Sequence, residues 1–294
     1  MRKLLLISLF WILLALPVSA ETWYFAVVGD TQGTNLAEPV SPVFDKIIEK
    51  VNELKPDFLV HLGDKVSGSG NPEILKKQFL IYRQKTAALA LPLYEVPGNH
   101  DLPNKDCYPI YREVISPQRY YSFNHKGCHF VVLSSEENPG VNGGLGKEQL
   151  TWLEEDLKEH AGQPVFTFMH RPLYRGIIHP YNLADAGNLE RVLQRYKVKY
   201  LFAGHEHRFG ISHQGGMVEY ISGGGGAPLL NFSEESGGFY HFLLVKVEDG
   251  KPEVDFIKID HPKTYQDFRG LWKAFQYLRD VSEQDKKGEG GEFP

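Results

Sequence analysis

Short apolar runs bounded by glycine or proline alternate with longer stretches of helical periodicity through most of the chain. The short runs are rich in β-branched and aromatic residues, which is typical of strands. The longer stretches carry apolar residues three and four positions apart, which predicts amphipathic helices. Strands that alternate with crossover helices indicate an α/β domain.

The pattern gives definite bounds to these elements. The predicted strands up to residue 203 are Trp23–Val28, Phe58–Leu62, Leu93–Val96, His129–Ser134, Val165–Met169 and Lys199–Ala203. The predicted helices are Ser41–Leu54, Pro72–Ala90, Lys147–His160 and Asn188–Tyr196. Beyond Gly215 only strands are predicted, at Val218–Ser222, Phe239–Val247 and Glu253–Ile259. Those last strands favour an antiparallel addition to the sheet core.

The first twenty residues have the organisation of a signal peptide. Arg2 and Lys3 precede an apolar run, which ends in the small-residue pattern Val18-Ser19-Ala20. An uncleaved anchor is the alternative, but the run is shorter than the roughly 20 residues that span a bilayer. We therefore expect residues 1–20 to be removed and the protein to be exported, periplasmic or secreted, without stable membrane insertion.

Residues 21–262 are expected to form one globular domain. Residues 263–281 predict a C-terminal amphipathic helix, and residues 282–294 have almost no apolar side chains, which predicts a disordered tail. Loss of residues 1–20 changes the formal net charge from −5 to −7, because Arg2 and Lys3 are lost. An acidic chain argues against nucleic acid as a partner. The oligomeric state is left open.

The chain contains two cysteines, Cys107 and Cys128. An oxidising compartment would allow a disulfide between them, worth roughly 3 kcal/mol in the chain-entropy model. Two reduced thiols packed in the core are the alternative. The sequence does not decide between them.

Polar residues stand just beyond five of the predicted strands. They are Asp30, Asp64, Asn99 with His100, His170, and the pair His205 and His207. The ligand crevice of an open α/β sheet lies outside the carboxyl ends of its strands. Singly, an aspartate after glycine is more often a helix cap or turn former, and a lone histidine is usually structural. Together, five such positions favour one metal site fed by five loops.

Imidazole, carboxylate and amide ligands without a thiolate favour divalent Mn, Fe, Zn or Ni. The number of ligands indicates two ions, which a shared carboxylate can hold roughly 3.5–4 Å apart. Such a pair polarises a phosphoryl oxygen and lowers the pKa of a shared water. The pattern therefore points to hydrolytic chemistry.

The polar positions also occur in a recognisable order. The motifs are Gly29-Asp30-Thr31-Gln32, Gly63-Asp64, Gly98-Asn99-His100-Asp101, Met169-His170 and Gly204-His205-Glu206-His207. This order resembles the calcineurin-like metallophosphoesterase superfamily, over Trp23 to about Val247. The resemblance implies a two-sheet α/β sandwich flanked by helices, a four-layer fold. It also implies hydrolysis of phosphomonoesters or phosphodiesters in small phosphorylated substrates, with a hydroxide between two metals as the nucleophile.

The resemblance assigns a role to each of these residues. One metal is implied at Asp30, Gln32, Asp64 and His207, and the second at Asp64, Asn99, His170 and His205. Asp64 is then the bridge. His100 resembles the family's catalytic histidine, which stabilises or protonates the leaving-group oxygen, and Asp101 resembles the residue that orients it.

Two positions depart from the family's pattern. Gln32 stands where most members carry histidine, and its carbonyl oxygen is a harder ligand than imidazole. Nucleoside-diphosphate-linked pyrophosphatases that use Mn are similar there. Ser67 stands where many members have aspartate and purple acid phosphatases have a metal-binding tyrosine, so a ferric tyrosinate site is not expected.

Arg171, Tyr174 and Arg175 follow His170 closely and are candidates for substrate binding. A guanidinium donates two parallel hydrogen bonds to phosphate, although a surface salt bridge explains such arginines equally well. His61, His129 and His241 fall inside strands and are expected to be packed and hydrogen-bonded.

Three other functions remain open. The first is a nucleoside-diphosphate-linked pyrophosphatase of the same superfamily. The second is a non-catalytic metal-binding or phosphate-binding scaffold, although such proteins usually lack several ligands. The third is a metal hydrolase that acts on amide or sugar bonds, against which the Asn-His-Asp triplet favours phosphorus chemistry.

Overall fold

The computed structural model describes residues 21–140, 142–174, 183–230 and 233–263. Eleven strands and five α-helices lie in these ranges. The strands are β1 Trp23–Val28, β2 Leu59–His61, β3 Leu93–Glu95, β4 Tyr121–His125, β5 Cys128–Val132, β6 Val165–Phe168, β7 Tyr200–Ala203, β8 Phe209–Gln214, β9 Met217–Ser222, β10 His241–Glu248 and β11 Lys251–Lys258. The helices are α1 Pro42–Leu54, α2 Pro72–Thr86, α3 Tyr108–Val114, α4 Gly146–Glu159 and α5 Ala186–Arg195.

The strands form two sheets. The first sheet has the order β11-β10-β1-β2-β3, in which β1, β2 and β3 are parallel and β10 and β11 join antiparallel. The second has the order β4-β5-β6-β7-β9-β8, with parallel β5, β6, β7 and β9 and antiparallel strands at both edges.

Alternation of side chains along β1 divides it between two cores. Phe25 and Val27 belong to the core between the sheets, whereas Ala26 and Val28 belong to the core beneath helices α1 to α3. Aromatic rings fill the space between the sheets, and Phe25 contacts Phe130 edge-on at 5.6 Å between ring centroids. A third core lies beneath α4 and α5. The layer order is helix, sheet, sheet, helix, which confirms the predicted fold.

Local signals explain where the helices begin. The hydroxyl of Ser41 accepts a hydrogen bond from Val43 N and caps α1, and Pro42 occupies the first helical turn. Asn71 caps α2 in the same way, through the backbone N–H groups of Glu73 and Ile74. These caps fix the points at which the loops after β1 and β2 end and the helices begin.

The structure corrects several predicted elements. Helix α2 ends at Thr86 rather than Ala90, because Ala88 and Leu89 continue in tighter turns with hydrogen bonds three residues back. Strands β4 and β8 and helix α3 were not predicted. Strand β9 was expected to join the sheet antiparallel, but it runs parallel to its neighbour β7. Only β10 and β11 match that expectation.

Cys107 and Cys128 are free and buried. Cys107 lies in the core under α1 to α3, while Cys128 lies between the sheets. The possible disulfide is therefore not formed, and the alternative of two packed thiols is correct.

The predictions for the two ends of the chain remain predictions. The signal peptide at 1–20, residues 264–281 of the predicted last helix, and the tail at 282–294 lie outside the described residues. Among the residues that are described, no helix has the length and apolar character needed to cross a membrane.

Candidate metal centre

The seven candidate metal ligands gather where strands of the two sheets end. Asp30 follows β1, Asp64 follows β2 and Asn99 follows β3, all in the first sheet. His170 follows β6, and His205 and His207 follow β7, in the second sheet. The site therefore straddles the seam between the sheets.

Three of these residues have a left-handed backbone although none is glycine. The φ angles are 62° at Asp30, 54° at Asp64 and 69° at His205. Such conformations cost of order 1–3 kcal/mol each and cluster at functional sites. Here they turn each side chain sharply away from its strand. Hydrogen bonds between the loops hold the turns, including Asp30 N to Gly63 O at 3.0 Å.

Asp64 occupies the middle of the site. One carboxylate oxygen, Oδ2, lies 3.3 Å from His170 Nε2 and 3.4 Å from Gln32 Nε2. The other, Oδ1, accepts a hydrogen bond of 2.8 Å from His100 N. This position, between Gln32 on one side and His170 on the other, is the one expected of a bridging ligand.

One half of the site is formed by His170, Asn99 and His205. His170 Nδ1 donates to Leu62 O at 2.9 Å, which leaves Nε2 facing the site as the nitrogen that would bind a metal. That Nε2 lies 3.1 Å from Asn99 Oδ1 and 3.1 Å from His205 Nδ1. Asp64, His170 and His205 offer three ligand atoms within 4.8 Å of one another.

The other half is formed by His207, Gln32 and Asp30. His207 Nδ1 donates to Pro228 O at 2.9 Å, and its Nε2 lies 3.6 Å from Asp30 Oδ1 and 3.3 Å from Gln32 Nε2. Gln32 Oε1 is buried and has no hydrogen-bond partner among the described residues. Turning the amide over would aim this oxygen at the same point as the lone pair of His207.

These groups fit divalent cations. Carboxylate oxygens, imidazole lone pairs and an orphaned amide oxygen converge, and such a set of acceptors is satisfied by positive charge. Asp30, Gln32, Asp64 and His207 would hold one ion, and Asp64, Asn99, His170 and His205 the other.

Burial and neighbouring charges act on the two aspartates in opposite ways. Burial raises the pKa of Asp30, and the nearby carboxylate of Asp64 adds to the rise. Burial acts against ionisation of Asp64 too, but His170 and His100 outweigh it and hold the pKa of Asp64 well below its usual range. Two buried carboxylates side by side repel each other, which a cation between them would relieve.

His100 stands at the open edge of the site. Its Nδ1 donates to Ser67 O at 2.7 Å, which turns Nε2 toward Asp64 Oδ2 at 3.9 Å. The side chain is 42% exposed, so a substrate can reach it. Asp64 raises the pKa of His100 above its ordinary value, which favours a ring able to donate a proton.

Asp101 has a different role from the one that the resemblance implied. Its carboxylate accepts hydrogen bonds of 3.0 Å from the backbone N–H groups of Asp64, Lys65 and Gly98. The ring of His100 is oriented by the Ser67 carbonyl instead. Asp101 therefore positions the loops that carry Asp64 and Asn99 rather than the ring of His100.

Two buried residues, Lys65 and His61, support the site from below, and the sequence did not single out Lys65. Lys65 is fully buried, and its Nζ lies 3.2 Å from Asp101 Oδ2 and 3.6 Å from Glu95 Oε2. His61 accepts from Gly63 N at Nδ1 and donates from Nε2 to Thr31 Oγ1 at 2.8 Å. Burial lowers the pKa of His61 well below its usual range, so the ring is neutral. The prediction that His61 is packed and hydrogen-bonded was correct.

The three candidate substrate-binding residues do not lie together in the structure as described. Arg171 lines a cavity of about 350 Å³ beside the centre, together with Asn99 and His205. Tyr174 is placed elsewhere, because its hydroxyl donates to Gln214 O at 3.0 Å and contacts Glu190 at 3.4 Å. The expectation for Tyr174 is therefore not met by its position. Arg175 lies outside the described residues.

The layered sandwich and the candidate ligand set at its seam are the arrangement expected of the metallophosphoesterase family. Comparison with known families agrees, because the family model for calcineurin-like phosphoesterases matches residues 24–209. The chain belongs to that family.

Individual relatives carry several activities in their names. The chain is 28% identical over 174 residues to a glycerophosphodiester phosphodiesterase from Enterobacter lignolyticus, covering 55% of this chain and 60% of that protein. It is 28% identical over 183 residues to the human serine/threonine-protein phosphatase CPPED1, covering 56% of this chain and 58% of that protein. The chain thus spans about three fifths of the length of the curated relatives it matches.

Solved structures share the fold. A purple acid phosphatase from yellow lupin superposes with a TM-score of 0.62 at 18% identity, covering 87% of this chain and 56% of that one. A dimetal phosphatase from Danio rerio superposes with a TM-score of 0.61 at 17% identity, covering 81% of this chain and 99% of that one. At these identities the likeness concerns the fold alone.

Proposed function

We propose that this protein hydrolyses phosphomonoesters or phosphodiesters with the help of two divalent metal ions held by the seven candidate ligands. The convergence of ligand atoms from both sheets around Asp64, with His100 at the open edge, carries the proposal. Family membership and the named activities of the relatives support the same reaction class. The pyrophosphatase alternative rests on Gln32 and is a second candidate.

Two divalent ions, when bound, would polarise a phosphoryl oxygen and lower the pKa of a water between them. The chain's own residues do the rest. The carboxylates of Asp30 and Asp64 accept backbone hydrogen bonds that fix their positions, and they would supply the negative charge that retains the ions. His100 is fixed through Ser67 so that its Nε2 faces the substrate side, where it donates a proton to the departing oxygen.

The donor set limits the choice of metal. Oxygen ligands from Asp30, Asp64, Asn99 and Gln32 and nitrogen ligands from three histidines suit Mn, Fe, Zn or Ni. Gln32 in place of a histidine makes its half of the site harder, which favours Mn or Fe there. Elemental analysis of the purified protein would identify the ions.

Replacing Asp64 by asparagine tests the proposal. Loss of the central charge should lower metal content from about two ions per chain, and turnover of aryl phosphates and aryl phosphodiesters should fall by about 10³-fold or more. Asp57→Asn is the matched control, because Asp57 precedes β2 as Asp64 follows it and pairs with His125 and Lys126 far from the centre.

The outcomes separate the rival functions. A folded Asp64→Asn protein with wild-type turnover would defeat the proposal. Wild-type protein that binds two ions but hydrolyses no phosphate ester would indicate a scaffold. Faster cleavage of nucleoside diphosphate derivatives than of simple esters would indicate a pyrophosphatase, and cleavage of amides or glycosides in their place would indicate a different hydrolase.

A further inference from the structure

A buried ion pair lines the cavity beside the metal centre. Arg171 Nε donates to Glu136 Oε1 at 2.7 Å, and Nη2 donates to Glu136 Oε2 at 3.1 Å. Glu136 is fully buried and Arg171 is 5% exposed. Because both oxygens of the carboxylate face the guanidinium, the contact is the strong two-pronged kind.

Surrounding groups hold this pair in one geometry. Ser135 Oγ donates to Glu136 Oε1 at 3.0 Å and accepts from Arg171 N at 3.2 Å. Arg171 Nη2 also donates to Gly140 O at 3.0 Å. A Cβ on Gly143, whose φ is +59°, would lie 2.5 Å from Ser135 O and 2.7 Å from Arg171 Nε, so a side chain there would displace the pair.

The ion pair changes the charge that Arg171 brings to this position. An arginine beside a phosphate site ordinarily supplies charge and two hydrogen bonds to an anionic substrate. Here Glu136 matches the charge of Arg171, so the pair brings no net charge to the cavity. A second negative charge on the substrate would approach the Glu136 carboxylate without gaining attraction from the pair as a whole.

Among the residues that the structure describes, the rest of the lining suits an uncharged group. Leu102 and Pro103, which follow the His100 and Asp101 segment, line the same cavity of about 350 Å³ as Asn99, His205, Glu136 and Arg171. Apolar side chains and a neutral ion pair together favour an alcohol without charge of its own. Asn99 and His205, which are candidate metal ligands, belong to the same lining, so the cavity adjoins the place where a phosphate ester would react.

We propose, building on the proposed function, that the Glu136–Arg171 pair selects phosphodiesters whose alcohol is uncharged and discriminates against dianionic phosphomonoesters. A diester carries one negative charge and extends a neutral group into the cavity. A monoester dianion, or the second phosphate of a pyrophosphate, carries a further charge that the pair does not neutralise.

Two substitutions of opposite sign test this selectivity. Glu136→Gln keeps the shape and leaves the charge of Arg171 unmatched, so the ratio of kcat/KM for bis(p-nitrophenyl) phosphate over p-nitrophenyl phosphate should fall by about tenfold. Inorganic phosphate should inhibit this variant about tenfold more tightly. Arg171→Gln leaves the Glu136 charge unmatched, and the same ratio should rise. A merely structural role would move both variants in one direction.

The neighbouring pair provides the control. Glu137 forms a two-pronged contact with Arg119 at 2.7 and 2.8 Å and is not among the residues that line the cavity. Glu137→Gln should therefore leave the substrate ratio within twofold of wild type. If one of the two cavity variants does not fold, the other still tests the proposal. Its substrate ratio must change in the predicted direction, and its inhibition by phosphate is compared with that of the wild type.

The result also separates this inference from the proposed function. Wild-type protein that hydrolyses neither ester overturns the proposed function itself. Wild-type protein that hydrolyses both esters but prefers the monoester overturns the selectivity alone. An unchanged substrate ratio in both cavity variants does the same and leaves phosphoester hydrolysis standing.

Discussion

Three of the four histidines at the centre commit one ring nitrogen to a backbone carbonyl. His100 donates to Ser67 O, His170 to Leu62 O and His207 to Pro228 O. The bond fixes both the rotation of the ring and the nitrogen that carries the hydrogen. The lone pair or the proton that the chemistry needs is thereby aimed at the site before any substrate arrives.

Substitution of His100 tests its role at the level of a single side chain. His100→Ala should lower kcat by about 10²- to 10⁴-fold, because proton donation to the leaving oxygen is lost. The loss should be larger for an alkyl than for a p-nitrophenyl ester, since nitrophenolate leaves without a proton. Metal content should stay near that of the wild type.

His213→Ala is a suitable comparison, since His213 lies in edge strand β8. Equal losses of kcat for alkyl and nitrophenyl esters, or loss of metal together with activity, would show that His100 acts by some other means.

Sequence motifs picked out the candidate ligand side chains that the structure brings together, but not all their neighbours. Asp30, Asp64, His170 and His205 could be predicted because glycine-aspartate and histidine motifs recur at strand ends. The role of Asp101 could not, because a motif does not say whether a carboxylate faces a ring or the backbone below it. Lys65 gave no signal either, since lysine is almost never fully buried unless it is paired.

At the scale of elements, the loops after β2 and β3 are held together by one buried carboxylate. Asp101 receives three backbone N–H groups from these loops and the ammonium of Lys65. The left-handed turn at Asp64 is stabilised by this contact. Without it, the strained turn would relax and its side chain would leave the centre.

Asp101→Asn should therefore act on stability as well as on the site. One oxygen that accepts hydrogen bonds is replaced by an NH₂ group, which faces donors, and Lys65 keeps a buried charge that is poorly matched. We expect a loss of about 3–5 kcal/mol in the free energy of unfolding, measured by urea titration, together with weaker metal binding.

Glu113→Gln breaks the exposed Lys76–Glu113 pair and should leave the urea midpoint unchanged. A similarly small effect of Asp101→Asn would mean that the loops hold their shape without this carboxylate.

The strands that the sequence predicted best, such as β1 and β6, are mostly apolar and mostly buried. Strands β4 and β8 escaped prediction because they lie at sheet edges and carry mixed polar sequences, such as Tyr121–His125. Edge strands have one unpaired side and less burial, so their apolar pattern is weak. The pairing of β9 with β7 could not be foreseen, because local periodicity says nothing about partners distant in sequence.

At the scale of the whole molecule, the two sheets share one aromatic core. Phe25 of β1 stacks on Phe58 at 5.3 Å and meets Phe166 of β6 edge-on at 5.6 Å. This core aligns the carboxyl ends of parallel strands from both sheets at the same edge. The order of layers followed from the family resemblance, whereas apolar patterning alone predicted only an α/β class.

Asp30, Gln32 and Asp64 follow strands of one sheet, and the three candidate histidine ligands follow strands of the other. Each ion would therefore link the two sheets. Ligands that bind only the folded state stabilise it by mass action, by about 2.7 kcal/mol at a concentration 100 times Kd. The melting temperature should therefore rise with Mn²⁺ and fall with a chelator, a shift that Asp64→Asn should largely remove. An identical melting temperature with and without metal would mean that no ion links the two sheets. A higher melting temperature with metal would mean that the bonds to the ions also hold the two sheets together.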